Sequence, residues 1–364
     1  MKSSLLDSKK VTTIHTLNPL QDSRWPEFLR SDPAASVFHT PGWLEALRRT
    51  YGYEPIVFTT ASSGEELKNG IVFCRVKDWL GSCRMVSAPF SDHCQPLVDS
   101  EENFKLLLGA LRQNQERERW RYIELRPLAS WDTGQETQAS FAKGEEFLFH
   151  TLDLRPSLDD IFHNFHKSCV QRKIHRAERE NLDYEAGRSE SLLAKFYHLL
   201  LLTRRRHQLP PQPLAWFRNL ADCLGDRLAI RLVSKDGQPI ASILTLSFKN
   251  SLVYKYGCSD AQFHNLGGMP LLFWRAIQEG KELGAEEFDL GRSDRDNPGL
   301  VAFKDHLGAA RSKLGYFRAS RNGSRSPTAA GLADWRLRLA KGVFARMPNS
   351  LLKIAGKLLY RHMG

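Results

Sequence analysis

The sequence predicts an α+β fold made of two similar halves. One order of elements, namely helix, strand, turn, strand, strand, helix and strand, occurs at residues 42–127 and again at 214–291. In each half the first strands form an antiparallel hairpin, and the strand, helix and strand that follow form a right-handed parallel crossover. The repeated order indicates an internal duplication. The alternative is two unrelated α/β segments with a similar order of elements.

In the first half, a short lead-in and a helix occupy residues 36–49. Pro41 stands near the first turn of this helix, where its missing N–H costs little. Apolar residues at positions 104, 107, 108 and 111 share one helical face and predict the second helix. Apolar runs bounded by turns predict the remaining elements, so that the strands are 54–58, 70–76, 84–89 and 121–127 and the second helix is 103–118.

In the second half, the turn at Asp236 and Gly237 predicts a β-hairpin between two apolar strands. Ser157, followed by acids at 159 and 160, is typical of a helix start. Apolar periodicity predicts the other elements, which are helices at 157–181, 191–206, 214–225 and 268–284 and strands at 228–234, 239–248, 251–259 and 286–291.

Length and composition bound the class of protein. The 364 residues suffice for two domains, which we predict at 1–150 and 151–320, the second with the active site. The 41% hydrophobic and 26% charged residues exclude a disordered chain, a collagen, a coiled-coil rod and a polytopic membrane protein. No window approaches the roughly 20 apolar residues of a spanning helix, and the N-terminus lacks a signal-peptide pattern. We therefore expect a cytoplasmic protein.

The positive charge is concentrated in a predicted helical tail at 327–364. The chain has 52 Lys and Arg against 41 Asp and Glu, a net charge of +11, and the tail holds seven basic residues and one acid. Trp335 and two apolar stripes separated by Pro348 predict two basic amphipathic helices. Such helices suit the inner face of an anionic membrane, whereas helices docked on the protein body are the alternative.

Several kinds of site are excluded by pattern. The six cysteines are scattered without a CxxC pair, so we expect reduced thiols, no metal and no tightly bound cofactor. No helix-turn-helix, RNP motif or zinc finger is visible, so DNA is not an expected partner. No Ser, His and Asp occur in an order typical of a catalytic triad.

Two charged residues near the end of the second half are the catalytic candidates. Asp289 ends a strand, where a carboxylate can accept a proton from an attacking amine. Lys304 follows a polar glycine loop and can stabilise the oxyanion of a tetrahedral intermediate. Ligands bind at the carboxyl ends of strands in α/β units, so we expect the same cleft to include Tyr254, Tyr256 and Arg292. The alternative is a salt-bridged loop at the surface.

Two further loops carry polar groups. Gly267 and Gly268 precede a helix whose free N–H groups can hold a phosphate or polarise a carbonyl, although a turn that requires glycine explains them equally well. Asp92 and His93 are neighbours in a loop of the first half. Such a histidine can serve as a general base, or the pair can be structural.

Basic residues on the helix near residue 170 are candidates for binding phosphate or RNA. Arg172 and Arg176 share one face of this helix, with Lys173 beside it. A solvated helix face is the alternative. The run Arg204-Arg205-Arg206-His207 ends an apolar helix, where cations complement the helix dipole.

The motifs together resemble the FemAB-related, double-GNAT acyltransferases over roughly residues 36–318. The segments that carry the resemblance are FHTPGWLEALRRTYGYEP, APFSDHCQPL, KSCVQRKIHRAERENL, FYHLLLLTRRRHQLP, YKYGCSDAQFHNLGG and FDLGRSDRDNPGLVAFKDHLG. The resemblance implies two GNAT-like domains with a substrate cleft, a catalytic lysine at Phe303-Lys304, and substrate phosphates held by basic residues. The coiled-coil arm of the strict Fem enzymes is not evident between 182 and 228, and the usual coenzyme A loop is absent.

The resemblance implies transfer of an acyl or aminoacyl group to an amine of a cell-envelope precursor, in peptidoglycan or exopolysaccharide synthesis. Aminoacyl-tRNA and acyl-CoA are both candidate donors, and the acceptor can be lipid-linked. The alternatives are an acyl-CoA-dependent N-acyltransferase of polysaccharide or lipid biosynthesis, and a non-catalytic accessory protein at the membrane.

Overall fold

A computed structural model describes residues 13–79, 81–129, 141–321 and 348–363. The strands in chain order are β1 (His15–Leu17), β2 (Glu54–Thr59), β3 (Ile71–Lys77), β4 (Cys83–Val86), β5 (Tyr122–Leu125), β6 (Ala142–Asp153), β7 (Asp183–Gly187), β8 (Leu228–Lys235), β9 (Gln238–Phe248), β10 (Ser251–Ser259), β11 (Glu287–Ser293) and β12 (Ala310–Ser320). The α-helices are α1 (Arg24–Ser31), α2 (Pro41–Tyr51), α3 (Glu101–Glu118), α4 (Leu158–Asn164), α5 (Arg172–Arg179), α6 (Glu190–Arg206), α7 (Leu214–Leu224), α8 (Gly268–Glu282), α9 (Pro298–His306) and α10 (Asn349–Met363).

The predicted α+β class and the repeated unit are confirmed. The first half pairs β2, β3 and β4 as antiparallel neighbours, and α3 then leads to β5, which lies parallel to β4. The second half repeats this with β8, β9 and β10, and α8 leads to β11, parallel to β10. The β8–β9 turn forms where predicted, with Asp236 and Gly237 at positive φ angles of 51° and 77°.

The two halves exchange a strand within one sheet, whose order is β1-β2-β3-β4-β5-β12-β6-β11-β10-β9-β8-β7. The strand β6 follows the first half in the chain but pairs with β11 of the second. The strand β12 follows the second half but pairs with β5 of the first. The boundary predicted between residues 150 and 151 falls within β6, which pairs with both β11 and β12.

A shared core joins the halves through the equivalent helices α2 and α7. Their backbones approach so closely that a Cβ on Gly42 would lie 2.6 Å from the carbonyl oxygen of Cys223. The rings of Trp43 and Trp216 meet edge to face with centroids 5.3 Å apart. Both tryptophans are fully buried. This contact fixes the orientation of one half against the other.

The second predicted tail helix exists as α10 and packs on the body of the protein. The Tyr360 hydroxyl donates to the carbonyl of Pro210 at 3.2 Å, and the Tyr53 hydroxyl donates to the carbonyl of Tyr360 at 2.8 Å. Leu352 is fully buried. The tail helix predicted at 332–347 lies outside the described residues. Among the helices described, none has both the length and the apolar character needed to cross a bilayer.

Candidate functional site

A cavity of about 790 Å³ opens where the parallel strands β10 and β11 separate. The two strands pair only from Ser251 to Val253 on β10 and from Glu287 to Asp289 on β11, and then diverge. The cavity is lined by residues beyond this split, on the side of the carboxyl ends of both strands, where ligands of α/β units bind. The helix α8 begins at the same cavity with Gly268, Met269 and Pro270.

A β-bulge on β10 turns Lys255 into the cavity. The register with β9 shifts between Tyr254 and Tyr256, so that Lys255 is the extra residue. Its Nζ donates to Oδ1 of Asp92 at 3.1 Å, and the ring of Phe38 lies 5.4 Å from Nζ. Only 6% of the Lys255 side chain is exposed. Because Asp92 belongs to the first half and Lys255 to the second, their ion pair joins the halves at the cavity.

The charges around Asp92 keep it ionised. Burial acts to raise the pKa of Asp92, but Lys255 and Arg292 outweigh it, so the pKa lies below its ordinary value. The Nε of Arg292 lies 3.9 Å from Asp92 Oδ1. Burial lowers the pKa of Lys255, and Asp92 compensates only in part. The cavity therefore holds an ionised carboxylate that can accept a hydrogen bond.

A second irregularity, on β11, brings Lys304 to the same place. The pairing of β11 with β6 shifts between Asp289 and Arg292, and Gly291 has a φ of +73°. Lys304 on α9 donates from Nζ to the carbonyls of Gly291 at 2.9 Å and Arg292 at 3.0 Å. Lys304 is 1% exposed and lines the cavity. Burial lowers its pKa to about 8.

Asp289, which was expected in the cleft with Lys304, lies behind this segment and outside the cavity lining. Its Oδ1 accepts from the N–H of Gly291 at 2.7 Å, and its Oδ2 lies 2.8 Å from His93 Nε2. A carboxylate only accepts, so the His93 proton lies on Nε2. Neither Asp289 nor His93 lines the cavity, and both are buried. Asp289 accepts from the N–H of Gly291, Lys304 donates to its carbonyl, and His93 contacts Asp289 from behind. A substrate in the cavity therefore has no direct contact with Asp289 or His93.

The predicted site residues divide into two groups. Those that line the cavity are Lys304, Asp92, Tyr254, Tyr256, Arg292, Lys173 and Gly268. Those that do not are Asp289, His93, Arg172, Arg176 and Gly267. Arg172 and Arg176 are exposed on α5, outside the cavity lining. Glycine is required at position 267 for a structural reason, because its φ is +80° and a Cβ would lie 2.1 Å from the carbonyl oxygen of Lys173.

Three further basic residues line the cavity without having been predicted as site residues, namely Lys255, Arg204 and Arg206. Arg206 donates to the carbonyl of Ser259 at 3.2 Å, and Arg204 donates to Gln212 Oε1 at 3.2 Å. For Arg204 and Arg206, the signal in the sequence was the run of arginines at the end of α6. These arginines complement the helix dipole, and two of them also line the cavity. For Lys255, the signal was a lysine inside an otherwise apolar strand.

The basic residues of the cavity lining form two groups. Lys304, Lys255 and Arg292 all act on Asp92. The other three, Lys173, Arg204 and Arg206, are here named the distal basic cluster, and two of them, Lys173 and Arg206, act on His264. Within the described lining, six Lys and Arg face only Asp92 and Asp294 among acids. The arrangement suits a ligand that carries a phosphate.

A cluster of possible metal ligands lies beside the cavity. Donor atoms of His166, Cys169 and His306 all lie within 4.8 Å of one another. The Nδ1 of His166, however, accepts the backbone N–H of Cys169 at 3.2 Å. A neutral imidazole with Nδ1 as acceptor carries its proton on Nε2, so neither nitrogen offers a lone pair to a metal while this bond persists. In this structure, His166 caps the turn at Cys169 and does not present a metal site.

Comparison with known proteins agrees with this architecture. The family model of the GNAT acetyltransferase domain matches residues 165–305. FemX is similar at 16% identity, with a TM-score of 0.66 over 84% of this chain and 97% of that one. L-PGS from Bacillus licheniformis, a lysylphosphatidylglycerol synthetase, is similar at 13% identity, with a TM-score of 0.55 over 91% and 98%.

A third solved structure, a tandem GNAT protein from the clavulanic acid biosynthesis pathway, is 11% identical, with a TM-score of 0.53 over 86% of this chain and 100% of that one. No curated protein sequence matches the chain. At these identities the likeness is one of fold, and it confirms the predicted pair of GNAT-like units.

Proposed function

The chain contains a GNAT acetyltransferase domain and has the double-GNAT fold of the FemAB-like proteins, and on this premise we propose that it transfers an acyl or aminoacyl group to an amine of a cell-envelope precursor. The observation that carries the proposal is the cavity at the β10–β11 split, where an ionised carboxylate, Asp92, and a buried ammonium, Lys304, line the same space.

The cavity residues suit attack of an amine on an ester or thioester carbonyl. The amine nitrogen forms the new C–N bond, the carbonyl oxygen becomes an oxyanion, and the bond to the leaving oxygen or sulfur then breaks. Lys304 stabilises the oxyanion, since a donor held in place beforehand loses no energy to reorganisation. Asp92, which its neighbours keep ionised, accepts a hydrogen bond from the attacking nitrogen. The proton that the nitrogen releases passes through water to the leaving oxygen or sulfur.

The distal basic cluster supports a substrate that carries phosphate. Arginine and lysine in a cavity bind phosphate oxygens through charge-assisted hydrogen bonds. Because a different group of basic residues surrounds Asp92, the phosphate and the reacting carbonyl or amine can bind to different parts of one cavity. An envelope precursor with a phosphate-linked carrier has this form, and so does each of the two candidate donors.

A second candidate is an acyl-CoA-dependent N-acyltransferase of polysaccharide or lipid synthesis. The start of α8 at the cavity favours it, because Gly268 and Met269 stand at a helix N-terminus, where free N–H groups bind phosphate. Calorimetry with coenzyme A separates the two candidates. Binding in the cavity favours acyl-CoA, and its absence favours aminoacyl-tRNA.

The proposal is tested by following transfer in cells and with purified protein. Mass spectrometry of envelope precursors, with and without the protein, should reveal a mass difference equal to one acyl or aminoacyl group. Purified protein is then incubated with radiolabelled acetyl-CoA or a mixture of labelled aminoacyl-tRNAs and the precursor fraction. Unchanged precursors, together with no transfer from either donor, would refute the proposal.

A matched pair of arginine variants tests the distal basic cluster. Arg206→Gln should raise KM for the phosphate-bearing substrate about tenfold, with kcat nearly unchanged, because one charge-assisted hydrogen bond is lost. Arg172→Gln removes an arginine that is also exposed but lies outside the cavity lining, and it should leave both constants unchanged. Equal effects of the two variants would contradict a phosphate site at this cluster.

A further inference from the structure

The C-terminal helix α10 has three distinct faces, of which one holds it to the protein. Leu352, Gly356 and Tyr360 follow one another at intervals of four residues and form the docking face. A Cβ on Gly356 would lie 2.0 Å from the carbonyl oxygen of Pro211, so only glycine allows this close approach. The docking face fixes which way the rest of the helix points.

The second face is apolar and exposed. Leu351, Ile354, Leu358 and Leu359 are 51%, 56%, 61% and 38% exposed. Positions 351, 354 and 358 share one stripe of a helix with 3.6 residues per turn. Single exposed apolar side chains are normal on a protein surface, but a cluster of four within nine residues marks a binding surface.

The third face is basic and borders the apolar face. Lys353, Lys357 and Arg361 recur every four residues, and all three are exposed. No acidic residue occurs between 349 and 363. In helical projection, the basic stripe falls between the docking face and the apolar face. An exposed apolar stripe with a basic border is typical of a helix that lies in the interface of an anionic bilayer.

A neighbouring hairpin presents a further interfacial residue. Arg84 on β4 donates to the carbonyl of His362, so the β3–β4 hairpin adjoins the C-terminal end of α10. Near the tip of this hairpin, Trp79 is 81% exposed. Tryptophan is enriched at the boundary between lipid and water. The hairpin that adjoins the C-terminal end of α10 therefore carries an exposed residue of the type that membrane interfaces favour.

We propose that the exposed face of α10 binds the surface of an anionic membrane and sets the cavity beside it. A second copy of the chain is the competing occupant. A two-fold dimer with antiparallel α10 helices would place the two basic stripes on the same side of the contact, which like charges oppose. An anionic lipid surface instead matches the basic stripe in charge and accepts the apolar side chains.

The contacts of α10 connect the membrane to the cavity. Gly356 and Tyr360 contact Pro211 and Pro210, and the next residue, Gln212, accepts from Arg204 of the cavity lining. A bilayer on the exposed face of α10 is therefore separated from the distal basic cluster by the width of one helix, about 10 Å, and by the segment from Pro210 to Gln212. A lipid-linked acceptor could leave its hydrocarbon chain in the bilayer and place its phosphate in that cluster. This last step rests on the proposed function, whereas membrane binding itself does not.

The test is co-sedimentation of the full-length chain with vesicles. Wild-type protein should pellet with vesicles of phosphatidylcholine and phosphatidylglycerol, and less with phosphatidylcholine alone. The triple variant Leu351→Ser, Ile354→Ser and Leu358→Ser should not pellet with either. The control Leu283→Ser removes a leucine that is 81% exposed elsewhere and should pellet like wild type. The full chain is used because a truncation would remove the buried Leu352.

A second triple variant, Lys353→Gln, Lys357→Gln and Arg361→Gln, isolates the charge. Its affinity for the anionic vesicles should fall about a hundredfold, at about 1 kcal/mol for each basic residue near such a surface. Salt should weaken the binding of wild type more than that of this variant.

Three outcomes would overturn the proposal. They are no pelleting of wild type, equal pelleting by both triple variants and wild type, or a wild-type dimer in light scattering that the apolar variant dissociates. Transfer to a soluble amine acceptor is measured separately in the absence of vesicles. Transfer without vesicle binding refutes only the membrane surface, and vesicle binding without transfer refutes only the proposed function.

Discussion

Replacement of Lys304 by methionine should abolish most of the transfer rate while the protein still folds. Methionine has a similar length and no charge. Lys304 donates to two backbone carbonyls of β11, at 2.9 and 3.0 Å, and is 1% exposed. Leaving a buried acceptor unsatisfied costs about 1–3 kcal/mol, so the loss of both hydrogen bonds costs about 2–6 kcal/mol.

Because the substitution also removes a buried charge, much of that cost is offset. Burial lowers its pKa from an ordinary 10.5 to about 8. At about 1.4 kcal/mol for each pKa unit, the charged form at pH 7 is destabilised by about 3 kcal/mol, which the neutral methionine does not suffer. The net loss in the free energy of unfolding should therefore stay below about 3 kcal/mol. The transfer rate should fall about 10²–10³-fold, the typical effect of removing an oxyanion donor.

The pH dependence gives a second measurement on wild-type protein. Above about pH 8 the folded protein loses the Lys304 proton, so the transfer rate should fall about tenfold for each further pH unit. The unfolded chain keeps this proton up to about pH 10.4. Between these two values the unfolded state binds more protons, so the contribution of Lys304 to the free energy of unfolding rises with pH.

The assays are transfer of radiolabelled donor and thermal unfolding followed by circular dichroism. The control is Lys313→Met, which removes an exposed lysine of β12 and should affect neither measurement. A folded Lys304→Met protein with a wild-type rate would refute the assigned role. A wild-type rate that does not change between pH 7 and 9 would contradict a protonated Lys304 in the reaction.

Two further predictions concern contacts of the cavity walls. Asp92→Asn leaves Lys255 buried without its partner and should lower the free energy of unfolding by about 3–5 kcal/mol, measured by denaturant titration. Adding Lys255→Met should restore stability but not transfer, and if stability is not restored the ion pair is not the cause. Gly267→Ala should destabilise the protein by more than about 1 kcal/mol beyond Gly284→Ala, measured by thermal unfolding. Both glycines have positive φ, but only a Cβ on Gly267 would meet the carbonyl of Lys173, whereas Gly284 has open space. An equal effect of the two substitutions would show that backbone strain alone determines the loss of stability.

The periodic elements were predictable because local patterns specify them. The hairpin of β8 and β9 depends on Asp236-Gly237, and α2 depends on its N-terminal Pro41 and apolar face. The central strands β6 and β12 were not predicted. Both carry many charged residues, and β12 pairs with strands from both halves. Their pairing depends on residues far away in the chain, which no local window contains.

The candidate site was predicted in its residue types more than in its geometry. Lys304 and the tyrosines of β10 line the cavity as expected. Asp289 does not, because Leu290 and Arg292 line the cavity and the side chains of neighbouring strand residues point to opposite faces. Lys255 on β10 was missed for a different reason, since a β-bulge makes side-chain direction unpredictable from alternation.

The linear sequence of this protein determined the class of fold, the duplication, the helices and strands of each repeat, and the place of Lys304 among the candidate site residues. These features follow from turns, caps and apolar periodicity within short segments. Tertiary structure alone decided the exchange of β6 and β12, the pairing of Asp92 with Lys255, and the face that α10 leaves exposed. Each of these depends on contacts between distant segments, whose geometry is set only when the two halves pack around their common core.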